Sequence, residues 1–194
     1  VLCLPFMASL AQNYRLNVID DAGAPLNKVS RNGKYIAGTY AGKNVVVNTH
    51  TGEQAVYVRP GMEGDIISDI SDNGIIVGQS GTLEVYYPSY ISDEEWVVLP
   101  TNDGRYGNCA AISADGMVIG GYVWEDNSTQ NFYLPAIWVK ENDSYELQIL
   151  PYPEEDFFGK KPQGIRVTSI SPDGNLLLGI FTPEAGGNQV YPII

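Results

Sequence analysis

The side chains best suited to contact a ligand are aromatic and basic residues in three long, polar segments of the sequence. Seven residues make up this candidate binding surface: Arg105, Tyr106, Trp124, Phe132, Tyr133, Phe157 and Phe158. Aromatic rings beside Asn, Asp and Glu side chains can stack on sugar rings or hold the side chains of a partner protein. The alternative interpretation is that these rings form a small core beneath their own loops.

Catalytic chemistry is harder to build from this sequence. His50 is the single histidine, so neither a Ser-His-Asp triad nor a multi-histidine zinc site is available. Residues 69–74 match the start of a calcium loop, but Ser80 stands where a bidentate glutamate is needed. We therefore predict no catalytic residue, no metal site and no cofactor. Five carboxylates in the same long segments keep glycoside hydrolysis open as an alternative: Glu125, Asp126, Glu154, Glu155 and Asp156.

A motif that occurs four times indicates which elements position these residues. Each copy has an apolar residue, Ser, any residue, Asn or Asp, Gly and then an apolar run, with serines at 30, 71, 113 and 171. The first spacings match the period of about 40 residues of a four-stranded repeat. Asn-Gly and Asp-Gly tolerate the positive φ angles of a tight turn, and serine can hydrogen-bond nearby backbone. A structural role in these turns is assigned to Ser30, Gly33, Ser71, Gly74, Ser113, Asp115, Gly116, Ser171, Asp173 and Gly174.

The apolar run after each turn is typical of a strand that is buried on both faces. Third strands are predicted at 44–48, 83–87, 134–139 and 189–193, and fourth strands at 54–58, 95–99 and 145–150. We label the strands of each unit A to D. The fourth copy ends after its C strand, and residues 14–19 have the pattern of a D strand.

These strands predict an all-β fold, a β-propeller of four-stranded antiparallel blades with four blade units, over residues 12–194. The repeats are expected at approximately 20–60, 61–100, 101–151 and 152–194. Strand 14–19 would complete the last blade and remove an exposed edge. Two alternatives stay open, a closed four-blade ring and a cropped part of a larger propeller.

Known propeller repeats share several of these motifs. The first unit, residues 29–38 followed by 44–52, resembles TolB-like and WD-type blades. The later units are similar to HAF-type extracellular repeats through Ala136-Ile-Trp138 and the Leu-Pro pairs at 99–100 and 150–151. The resemblance implies a propeller but no particular activity, because propellers host many unrelated functions. Two departures are that Trp occurs in one C strand only and that no Trp-Asp dipeptide is present.

Topology predicts where the long segments lie. In a four-stranded antiparallel unit the A–B and C–D turns share one end, and the B–C and D–A connections share the other. The three segments with the candidate residues are such connections, at 101–108, 122–133 and 151–164. Insertions on one face of a repeat protein usually mark its binding side. We therefore predict the ligand surface at the B–C and D–A end.

Composition limits the partners. The net charge of −12 argues against nucleic acid as a partner, because the chain would repel phosphate. Residues 1–11 have the pattern of the tail of a secretory signal, with Ser9 and Ala11 before the cleavage point, although a buried N-terminal strand is the alternative. No other segment has the apolar length of a membrane span, about 20 residues. If Cys3 leaves with the signal, Cys109 is the single remaining cysteine and is expected in the core.

The function that these observations favour is a secreted, periplasmic or cell-surface binding module without catalytic activity. Its ligand would be a protein or a carbohydrate. The alternative is the accessory propeller of a hydrolase, or a glycoside-active enzyme that uses the loop carboxylates.

Overall fold

The computed structural model describes residues 26–40, 43–58, 64–82, 86–92, 95–101, 106–124, 133–151, 162–183 and 189–193. Throughout these ranges the regular structure is β-strand, arranged as antiparallel meanders. The predicted all-β class and the antiparallel four-stranded sheets are therefore confirmed. The possible closing strand at 14–19 lies outside the described residues.

The strands form four consecutive units. Unit 1 contains β1 (Lys28–Val29), β2 (Tyr35–Tyr40), β3 (Lys43–Asn48) and β4 (Gln54–Val58). Unit 2 contains β5 (Ile66–Ile70), β6 (Ile76–Gly81), β7 (Tyr86–Ser92) and β8 (Glu95–Val98). Unit 3 contains β9 (Gly107–Ile112), β10 (Val118–Trp124), β11 (Tyr133–Glu141) and β12 (Ser144–Ile149). Unit 4 contains β13 (Pro162–Ile170), β14 (Leu177–Pro183) and β15 (Gln189–Ile193). Among the described residues, one parallel bridge, Tyr133 to Gly164, joins units 3 and 4 into one seven-stranded sheet.

The turn between the first two strands has the same construction in every unit. The serine hydroxyl donates to the Asn or Asp two residues later at 2.5 to 2.8 Å, and it accepts the backbone N–H at the far side of the turn. The hydrogen bond from Ser113 holds the pKa of the Asp115 carboxyl below its ordinary value, and that from Ser171 does the same for Asp173. The turn glycine alone has positive φ in each copy (Gly33, Gly74, Gly116 and Gly174). Only the glycine of each Asn-Gly or Asp-Gly pair uses the tolerance of positive φ, while the Asn or Asp side chain acts as a hydrogen-bond acceptor.

The units pack face to face. The first strand of each later unit lies against the first and second strands of the unit before it. Ala37 of unit 1 packs with Ile67 and Ile70 of unit 2, and Ala111 of unit 3 packs with Val167 and Ile170 of unit 4. Of the cores formed by the described residues, the one between units 2 and 3 is the largest. Its buried members are Val77, Leu99, Cys109, Ile112, Ile119, Val123, Leu134, Ala136, Trp138 and Tyr145. Cys109 is a core residue there, and burial raises the pKa of its thiol.

Hydrogen bonds also connect the four turns in order. From unit 1 to unit 2, the Asn32 N–H donates to Asp72 Oδ1 at 2.8 Å. The next links are Asp72 N–H to Ala114 O and Ala114 N–H to Pro172 O, each at 2.9 Å. Pro172 has no N–H, and the link from unit 4 back to unit 1 is made by the Arg31 guanidinium, which donates to Ile170 O at 2.7 Å. The hydrogen bonds therefore pass through all four turns and return to the first.

Candidate ligand-binding site

Three of the candidate residues lie at the ends of neighbouring strands in unit 3. Trp124 is the last residue of β10, Tyr133 is the first residue of β11, and Tyr106 directly precedes β9. The antiparallel register sets Trp124 opposite Tyr133, and the Trp124 N–H donates to Tyr106 O at 2.9 Å. The B–C and D–A connections of this unit thus bring the three side chains to one end of the sheet.

Their rings form part of a continuous aromatic row. In order of contact the row is Tyr87, Tyr106, Trp124, Tyr133 and Tyr122. Ring centroids lie 5.4 Å apart for Tyr87 and Tyr106, 5.8 Å for Tyr106 and Trp124, 6.2 Å for Trp124 and Tyr133, and 4.8 Å for Tyr133 and Tyr122. All four contacts are edge to face, a favourable geometry for aromatic pairs. Each of the five side chains is half-buried, so each combines packing with some access to solvent.

Unit 2 holds one end of the aromatic row. Tyr87, in β7, is the ring that contacts Tyr106. Close by in the chain, the Asn108 side chain in β9 donates to the Gln79 side chain in β6. The start of β9 is therefore tied to the preceding unit by a polar and an aromatic contact, which restricts the position of Tyr106.

Unit 4 contacts the aromatic row at Tyr133. The bridge between Tyr133 and Gly164 needs glycine, because a Cβ on Gly164 would lie 2.6 Å from the Tyr133 backbone nitrogen. Arg166 follows two residues later in β13, which places it on the same face of that strand. Its guanidinium carbon lies 5.9 Å from the centre of the Tyr133 ring, within the range of a cation–π contact.

The other predicted contact residues cannot be placed relative to the row. Arg105, Phe132, Phe157 and Phe158 lie outside the described residues. So do the carboxylates behind the enzymatic alternative: Glu125, Asp126, Glu154, Glu155 and Asp156. Within the described ranges no group of three or more His, Cys, Asp or Glu side chains could hold a metal ion. His50 lies exposed in the turn between β3 and β4, at the other end of its unit.

The sequence analysis did not select three residues of the site, Tyr122, Tyr87 and Arg166. For Tyr122 alone, the spacing in the sequence indicates its position. Tyr122 lies two residues before Trp124 in the same strand, and this spacing puts both side chains on one face. Tyr87 and Arg166 enter through contacts between units. No local pattern in the sequence indicates such contacts.

A groove of about 330 Å³ lies at the opposite end, between units 1 and 2. It is bordered by Tyr35 and Tyr57 of unit 1 and by Asn73 and Gly74 in the turn of unit 2. This groove is open and carries one acidic side chain, Glu53, at its border. The aromatic row offers a larger set of converging rings together with a cation, and it is the stronger candidate.

Comparisons with protein families and with curated sequences find no relative of the chain. Among the described residues, no helix has the length and apolar character that crossing a membrane requires. Because these comparisons find no relative, the interpretation of the aromatic row rests on its geometry.

Proposed function

We propose that the chain is a secreted, non-catalytic β-propeller that binds a protein or a carbohydrate at its B–C and D–A end. The observation that carries the proposal is the aromatic row, in which rings from units 2 and 3 meet beside Arg166 of unit 4. Tyrosine, tryptophan and arginine are the side chains that most often dominate binding energy at interfaces. Export is part of the proposal because of the signal-like pattern at 1–11.

The circuit of hydrogen bonds through the four turns supports a ring of units. Three links join consecutive units, and the Arg31 link joins the last unit to the first. Units stacked in an open row would keep their first and fourth turns apart. Radial packing around an axis brings them together, as in a propeller.

Two exposed apolar surfaces support the same arrangement. In unit 4, Leu177 pairs with Ile170 and packs towards unit 3, so Leu176 and Leu178 face away, at 58% and 39% exposure. In unit 1, Ala37 packs towards unit 2, and Val29, at 59% exposure, lies on the other face. These are the two surfaces that a fourth interface would bring into contact. Closing the ring would remove both from water.

Placing a charge on the unit 4 surface tests ring closure. We expect Leu176→Asp to lower the free energy of unfolding by about 2 kcal/mol or more, because closure would bury an unpaired carboxylate. Urea unfolding measures the change, and light scattering measures the mass of the native protein.

The matched control is Val98→Asp on β8, the outermost strand of unit 2, where the side chain is 50% exposed beside interfaces that are already formed. Its effect should stay within about 0.5 kcal/mol. Equal, small effects of both substitutions would contradict ring closure. A loss of dimer mass in Leu176→Asp would instead show that the surface meets a second copy.

Removing the central ring of the aromatic row tests the binding function. We expect Trp124→Ala to weaken binding at least about tenfold, since truncation of an aromatic anchor costs about 2 kcal/mol. Because Trp124 is only half-buried, its loss should lower the free energy of unfolding by about 1 kcal/mol. Suitable probes are an oligosaccharide array and a peptide array, followed by calorimetric titration of the strongest binder.

Tyr35→Ala provides the control, because Tyr35 is also half-buried but lies at the end of unit 1 that carries the turns. This variant should retain full affinity. Binding that tolerates Trp124→Ala, or that both substitutions reduce equally, would count against the site, as would two arrays on which the native protein binds nothing.

A further inference from the structure

Among the described residues, Arg166 has no anionic partner. Its Nε is shielded from solvent and makes no hydrogen bond, and the one contact of its guanidinium among the described residues is with the face of Tyr133. A buried guanidinium N–H without an acceptor is costly, and the cation–π contact satisfies none of the N–H donors. Arg166 is thus a cation for whose N–H donors the described residues provide no acceptor.

The composition of the chain makes this unusual. The sequence contains 23 Asp and Glu residues against 11 Lys and Arg residues, so carboxylates outnumber cations. Even so, no carboxylate of the described residues pairs with Arg166. The other arginine in these ranges, Arg31, has an acceptor in Ile170 O. The open guanidinium at the aromatic row fits an anion supplied from outside.

The aromatic row provides the second half of the recognition chemistry. Four of its five rings are tyrosines, each of which combines an apolar ring with a hydroxyl that can donate or accept a hydrogen bond. A sugar has the complementary character, with apolar C–H faces and hydroxyl groups around the ring. The rings lie at or near strand ends and pack against one another edge to face. Their positions are therefore largely fixed before binding, which keeps the entropy cost of ligand binding low.

We propose that the ligand is an oligosaccharide that carries carboxylates, such as a chain of uronic acids. One carboxylate pairs with the Arg166 guanidinium, which can bind it through two parallel N–H donors. The adjacent sugar rings lie against Tyr133 and Trp124. This inference rests on the proposed function, since it names the ligand of the same site.

The test compares an oligogalacturonide with its methyl ester, which has the same sugar chain without the negative charges. The native protein should bind the acid about tenfold to a hundredfold more tightly than the ester, the range expected for hydrogen bonds to a charged group. Arg166→Gln should remove this difference while the binding of the ester persists. Arg166→Lys should restore only part of it, because an ammonium cannot form the two parallel hydrogen bonds.

The matched control is Lys140→Gln. Lys140 also lies over a tyrosine ring, with Nζ 5.8 Å from the centre of Tyr145, but near the turn between β11 and β12 at the other end of unit 3. Lys140→Gln removes the same charge as Arg166→Gln and should leave the preference for the acid intact. Thermal unfolding of each variant confirms that it is folded.

The possible failures are distinct. If acid and ester bind equally and Trp124→Ala weakens both, the carboxylate inference fails and the binding function stands. A preference for the acid that survives Arg166→Gln also overturns the inference. Binding of an aspartate-rich peptide through Arg166, without binding of any oligosaccharide, would replace the sugar with a protein ligand. Failure of every oligosaccharide and peptide would overturn both proposals.

Discussion

Replacing Trp138 with alanine is expected to lower the free energy of unfolding by about 3–5 kcal/mol. Trp138 has no exposed surface and lies in the core between units 2 and 3. The substitution would leave a cavity that neighbouring strands cannot fill without breaking their register. It would also remove the hydrogen bond from the indole N–H to Pro100 O, at 2.7 Å. Urea unfolding measures the loss.

Two variants separate the cavity from the hydrogen bond. Trp138→Phe keeps most of the ring volume and loses the N–H donor, so we expect a cost of about 1–2 kcal/mol. Trp124→Ala makes the same deletion at a half-buried position and should cost far less than Trp138→Ala. If Trp138→Ala and Trp124→Ala had similar effects, the core would not lie where the structure has it.

Trp138 also explains why two separate features of the sequence occur together. The Ala-Ile-Trp stretch in unit 3 and the Leu-Pro pair at 99–100 in unit 2 were separate marks of a resemblance. In the structure Trp138 donates to Pro100, and Leu99 is buried in the same core. The pattern is therefore one contact between neighbouring units, seen from its two sides.

The turns were the most predictable part of the fold because their chemistry is local. Serine, Asn or Asp, and glycine within four residues are enough to close the hydrogen bonds of each turn.

The limits of the strands were less predictable where local sequence signals conflict. The third strand of unit 2 was predicted at 83–87, but β7 is Tyr86–Ser92, and residues 83–85 lie outside the described ranges. Pro88 argues against a strand in the sequence, yet it lies inside β7 and its carbonyl accepts the Leu99 N–H.

The sequence predicts where three residues of the aromatic row lie, but it does not predict all the residues that contact them. Topology alone sends Tyr106, Trp124 and Tyr133 to one end of unit 3, and the structure brings them into contact. Arg166 could not be selected this way, because its approach to Tyr133 depends on a single bridge between two units. A contact of this kind is decided by the packing of whole sheets, which single-chain patterns do not contain.

The glycines of the repeat differ in their roles, and the structure changes which one matters in unit 3. By spacing in the sequence Gly120 is the counterpart of Gly78, since each lies four residues after the turn glycine of its unit, Gly116 or Gly74. In the structure Gly78 pairs with Ile67, next to a bulge in β5, and it is Gly121 that pairs with Cys109, next to the bulge in β9. A Cβ at either position would lie 1.9 Å from a backbone oxygen, that of Ile66 or of Asn108. Gly121 and Gly78 are therefore the equivalent positions, since the bulge brings the first strand close at this point.

Gly121→Ala is accordingly expected to lower the free energy of unfolding by about 3 kcal/mol or more, because the clash is with backbone and cannot be relieved by a side-chain rotation. Gly52→Ala is the control: Gly52 has φ +76 with no atom within 4 Å of the added Cβ, so it should cost only about 1–2 kcal/mol of backbone strain. Urea unfolding compares the two. Equal costs would mean that β9 and β10 do not approach closely at the bulge.

The same substitution should also affect the aromatic row, because Gly121 lies three residues before Trp124 in β10. The strand shift that relieves the clash should displace the row and weaken ligand binding. Gly52→Ala should leave binding unchanged.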